Sequence, residues 1–188
     1  MKPGAGESDH TQARLFFAVL PDSATRECIG AATAELLVNS YARLVPRNNY
    51  HMTLAFVGAV PVRHVPIVRT IGAAYRGAGC MLRFDACEYW PTPGVIVGAA
   101  RITPQALQRL SQQLHRDLAQ HQWGLDVEPW RPHVTLARKV SQAPVLQAMS
   151  PFDWPVRDFC LMRSDRSGAG SAYTVVDAWP LLDDSEKA

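Results

Sequence analysis

Two short stretches hold the residues best equipped for chemistry. Residues 51–58 read HMTLAFVG and residues 131–138 read RPHVTLAR. Each sets a histidine two residues before a threonine inside an apolar run: His51 with Thr53, and His133 with Thr135. Residues two apart in a strand project to one face, so each stretch presents an imidazole and a hydroxyl side by side. Met52 and Leu54, like Val134 and Leu136, then face the opposite way. A lone histidine on a sheet face is usually structural. Two in the same local context point to a shared site.

Two imidazoles and two hydroxyls around one point suit acid–base work on a phosphate ester. Histidine titrates near pH 6.5, so one neutral ring can take a proton from attacking water while the other, protonated, supplies one to the departing oxygen. Hydroxyls can donate to non-bridging oxygens where charge gathers, and an arginine can add a forked contact. Two histidines without a third His, Cys or carboxylate pattern do not make a zinc site. This chemistry needs no metal, and no cofactor is expected.

The pairs must be positioned by their flanking elements, and these occur twice. RLFFAVLP (14–21) reads as a strand, 22–37 as a helix capped by Asp22 or Ser23, and YHMTLAFVG (50–58) as the first histidine strand. Helical spacing returns over 65–77, and 81–91 reads as a strand. The second half retraces this order with a strand over 94–103 and a helix over 104–121. That helix has Thr103 as N-cap, Pro104 at its first position and a stripe of Leu107, Leu110, Leu114 and Leu118. WRPHVTLARK (130–139) is the second histidine strand, followed by a short helix over 143–150 and a strand over 156–164. The fold expected is α+β and bilobal, with two sheets related by a pseudo-two-fold axis, helices outside and a groove between. One domain spans 13–182, with lobes of roughly 13–91 and 92–182 that can exchange strands, and tails at 1–12 and 183–188.

Composition fits this picture. Hydrophobic residues at 47% and charged residues at 19% are ordinary for a globular chain, and no apolar run approaches the roughly 18–20 residues of a membrane span. Residues 1–12 lack the apolar core of a signal peptide, so a cytoplasmic location is expected. The net charge of +2 is too small for long-duplex binding. Cys28, Cys80, Cys87 and Cys160 form no CxxC pair and read as buried free thiols. His10, His64, His115 and His121 have no motif context, and the last two are expected in solvent.

HMTLAFVG and RPHVTLAR closely resemble the two signatures of the 2H phosphoesterase superfamily. With RLFFAVLP and the closing SDRSGAGSAYTVVDAWPL, the chain resembles specifically the bacterial RNA 2′,3′-cyclic phosphodiesterases, once called 2′-5′ RNA ligases. The resemblance implies hydrolysis of a 2′,3′-cyclic phosphate to a 2′-phosphate, with RNA or oligonucleotide ends or cyclic nucleotides as substrates. His51 would be the acid and His133 the base; Thr53, Thr135 and Arg138 would hold phosphate oxygens. Phe56 is a candidate for stacking on a base. Arg47, Tyr50 and Arg131 flank the motifs, and Ser164 and Tyr173 fall in the closing pattern. Two alternatives stand beside hydrolysis: a 2′-5′ ligase acting on tRNA halves, and a non-catalytic module binding RNA ends. Nothing in the sequence demands more than a monomer.

Overall fold

The computed structural model describes residues 12–36, 42–124, 130–140, 146, 148–167 and 170–182. The expected tails lie outside these residues, except Gln12, which opens the first strand. In chain order the elements are β1 (Gln12–Val19), α1 (Ser23–Leu36), β2 (Arg43–Leu44), β3 (Met52–Pro61), α2 (Val65–Ala74), β4 (Cys80–Phe84), β5 (Ala86–Trp90) and β6 (Val95–Ala99). They continue with α3 (Gln105–Gln120), β7 (His133–Arg138), β8 (Phe152–Val156), β9 (Asp158–Ser167) and β10 (Gly170–Pro180).

These strands form two four-stranded antiparallel sheets, ordered β10-β9-β1-β3 and β2-β7-β6-β5, and a β4–β8 pair. Each large sheet draws on both halves of the chain. The C-terminal β9–β10 hairpin joins the sheet of the first histidine strand, and β2 and β5 join that of the second. One large core lies beneath both, containing Met52, Leu54, Val134, Leu136 and the α3 stripe Leu107, Leu110, Leu114 and Leu118. α3 packs on β3, α1 on β8, and α2 on α3 and the closing hairpin.

Several local expectations shift by a residue or more, for identifiable reasons. Asp22 caps α1, its Oδ1 accepting from the Thr25 amide at 2.8 Å. α3 begins at Gln105, because Pro104 is still extended (ψ 139°) and itself takes the N-cap place expected for Thr103. The strand expected over 81–91 is two strands in different sheets. Asp85 makes the break: its amide donates to the Ala99 carbonyl, and its carboxylate accepts from the Arg101 amide at 3.1 Å. The helix expected over 143–150 falls largely outside the described residues; Leu146 and 148–150 are not helical. Cys28 is exposed rather than buried. Burial pushes the Cys87 and Cys160 thiols up to about 11 and about 12, so both stay protonated.

Candidate active site

The two histidine motifs adopt one local geometry. Across β1–β3, Thr53 pairs with Ala18 and Ala55 with Phe17, so Leu54 is an extra residue; across β6–β7, Thr135 pairs with Val97 and Ala137 with Ile96, so Leu136 is extra. Each is a β-bulge just after the threonine. Simple alternation would send the third residue past the threonine to the far face. The bulge returns it: Phe56 pairs with Phe16, and Arg138 with Val95, on the same face as the threonines. The two bulged leucines sit in the core, and their carbonyls are both satisfied. Ser111 Oγ on α3 donates to the Leu54 carbonyl at 2.8 Å, and the Val45 amide donates to that of Leu136 at 2.9 Å.

The histidines are held alike as well. His51 Nδ1 lies 2.7 Å from the Asn49 carbonyl, and His133 Nδ1 lies 2.9 Å from the Arg131 carbonyl, each two residues upstream. A carbonyl only accepts, so Nδ1 carries the proton in both rings and Nε2 is the nitrogen left to exchange one.

Their surroundings differ. His51 stands against Phe16 (ring centroids 5.2 Å apart) and edge-on to Tyr173 (5.0 Å). Burial lowers its pKa from the ordinary histidine value; the bond to Asn49 opposes this, and the charges of Arg138 and His133 add to it. His133 packs on Trp90 at 4.6 Å. Arg131 forks onto Glu88 at 2.7 and 3.1 Å, Trp90 Nε1 donates to the same carboxylate at 2.9 Å, and the Arg131 guanidinium lies 5.9 Å from the Trp90 ring centre. Burial also lowers the His133 pKa, with the bond to Arg131 opposing, the charges of Arg131 and Arg138 lowering further, and Glu88 raising. Arg138 therefore acts on both imidazoles, and the two lobes meet there.

A narrow cleft of about 110 Å³ joins the lobes, its walls including Thr53, Phe56, Trp90, His115, Trp130 and His133. Trp130 Nε1 donates across it to the Thr53 carbonyl at 3.0 Å. Thr53 is 7% exposed, while Thr135 is more open and Phe56 is 40% exposed. His115 is partly buried at this cleft, contrary to the solvated position expected for it. Tyr50 belongs to the core and Arg47 lies over Gly30 of α1, so neither lines this cleft. Trp90 and Glu88 were not singled out from sequence; they lie more than forty residues from His133, with no local signal. Trp130 was legible only as the residue opening WRPH. Among the described residues, no group of three His, Cys, Asp or Glu side chains is arranged to hold a metal ion. No described helix is long and apolar enough to cross a membrane.

A family model described as the 2′-5′ RNA ligase superfamily matches residues 20–168. The chain belongs to that superfamily. A Thermus thermophilus protein named RNA 2′,3′-cyclic phosphodiesterase is 30% identical over 179 residues, covering 89% of this chain and 90% of that protein. An Escherichia coli K12 protein of the same name is 29% identical over 170 residues, covering 89% and 96%. The solved structure of E. coli LigT complexed with 3′-AMP superposes with a TM-score of 0.85 at 27% identity, covering 92% of this chain and 99% of that one.

Proposed function

We propose that this protein is an RNA 2′,3′-cyclic phosphodiesterase, opening the cyclic phosphate at an RNA end to leave a 2′-phosphate without a metal ion. His133 Nε2 takes a proton from water as the water oxygen bonds to phosphorus. The P–O3′ bond breaks on the opposite side, and His51 Nε2 gives its proton to O3′. Thr53 and Thr135 donate to the non-bridging oxygens, and Arg138 stabilises the charge they carry. The observation that carries this reading is the matched pair of Nδ1–carbonyl bonds, which leaves each ring one exchangeable nitrogen.

Polarity follows from the position where the motifs differ. Arg138 and Phe56 are equivalent in the two bulged strands, so phosphate charge is drawn to one lobe and the sugar or base to the other. The test is product analysis by phosphorus NMR on adenosine 2′,3′-cyclic phosphate in EDTA. A 2′-phosphate formed at an undiminished rate is expected. A dominant 3′-phosphate would reverse the two histidines, and loss of turnover restored by a divalent ion would overturn the metal-free route. The superfamily's description supports one second reading, opening of the same cyclic phosphate by an RNA 5′-hydroxyl in place of water, which breaks P–O3′ and joins the two ends through a 2′-5′ linkage. The equilibrium reached with cleaved RNA measures it.

A further inference from the structure

The sheet of the second motif sets another arginine beside Arg138. β2 is the outermost strand of that sheet, and its Arg43 pairs directly with Arg138. Directly opposed residues of an antiparallel pair share a face, with Cβ atoms about 4.5–5.5 Å apart. One row on this face therefore runs Arg43, Arg138, Val95, Trp90, and the next runs Thr135, Val97, Glu88. Both arginines are exposed. Arg138 shares its face with Thr135, and its charge bears on both histidines. Arg43 stands one strand further out, where the next phosphate of a chain would pass.

We propose that Arg43 binds the phosphodiester on the 5′ side of the terminal nucleotide, so that the preferred substrate is the end of an RNA chain and not a free cyclic nucleoside phosphate. This rests on the phosphodiesterase reading above. A guanidinium is suited to the task, because its planar fork matches two phosphate oxygens.

The test compares adenosine 2′,3′-cyclic phosphate with and without a 5′-phosphate, on the native protein, Arg43→Gln and Arg43→Lys. On the native protein the 5′-phosphate is expected to raise kcat/KM about tenfold, the scale of one charge-assisted contact. The dependence on log salt should steepen by about 0.7, the release expected from one single-strand phosphate. Arg43→Gln should abolish both effects, and Arg43→Lys should restore part of them. No advantage from the 5′-phosphate, or an advantage that survives in Arg43→Gln, would overturn the proposal. Absence of turnover on every substrate would instead remove the phosphodiesterase reading. Equilibrium binding of adenosine 2′-phosphate against adenosine 2′,5′-bisphosphate would then decide the role of Arg43 by the same comparison.

Discussion

Thr135 and Arg138 are three residues apart on β7 yet share one face of their sheet, because Leu136 is the extra residue of a bulge. The same device brings Phe56 round to the face of Thr53. The guanidinium thereby lies on the face of the His133–Thr135 pair, and its charge bears on both histidines. Arg138→Ala is expected to lower kcat by about 10²–10³, the loss typical of one donor to a developing oxyanion. Arg138→Lys should recover only part of this, since it keeps the charge without the fork. Steady-state kinetics on a cyclic nucleotide measure both.

His51→Ala and His133→Ala should each lower kcat by about 10²–10⁴, the contribution of a positioned acid or base. The double variant should lose little beyond the worse single one, because the two act as a unit. A single variant with near-native turnover would remove that histidine from the mechanism.

The pH profile should be bell-shaped and should differ between kcat/KM and kcat. Burial favours the neutral form of both rings, so in the free protein each sheds its proton at a lower pH than an exposed histidine. A bound phosphate anion favours the protonated forms and moves both values back up. Since kcat/KM reports the free protein and kcat the complex, the maximum of kcat/KM is expected at the lower pH. The two limbs belong to the coupled pair. Coincident maxima would mean that the bound phosphate does not act on the histidines.

Glu88 is a positioning residue for His133: it grips Arg131, whose carbonyl holds the ring, and its charge raises the His133 pKa. In Glu88→Gln the raising influence is gone, so His133 titrates lower still. If His133 is the base, the acidic limb of the kcat/KM profile moves to lower pH while the basic limb holds. Movement of the basic limb instead would exchange the roles of the two histidines.

Ser111 offers a prediction about stability. It is buried, and its hydroxyl satisfies the carbonyl of the bulged Leu54. Ser111→Ala leaves that carbonyl without the hydroxyl, a loss of about 1–3 kcal/mol. For a domain of this size each kcal/mol lowers Tm by about 2–4 °C. Calorimetry that found an unchanged Tm would mean the bulge does not need this support.

Much of the site was legible because its signal is local. A strand repeats every two residues, so His51 with Thr53 and His133 with Thr135 could be placed side by side from spacing alone, and the repetition marked them as a pair. The leucine stripe of α3 was legible for the same reason: a period near 3.6 needs no knowledge of the partner. Local reading failed where a distant pairing decides. Asp85 divides an apparently continuous strand because Ala99 and Arg101 hold it, and His115 is drawn out of solvent because α3 packs against β3.

The sequence by itself determined which side chains are available for chemistry, that they come in two matched sets, and which apolar residues lie beneath them. The tertiary structure decided how those sets combine. A bulge exists only relative to a neighbouring strand, so the facing of Arg138 and Phe56 depends on β6 and β1, not on the motifs. Glu88 and Trp90 reach His133 only because β5 and β7 flank β6 in one sheet. Strand pairing joins residues far apart in the chain through backbone hydrogen bonds that carry almost no sequence signature, and that is why it had to be seen.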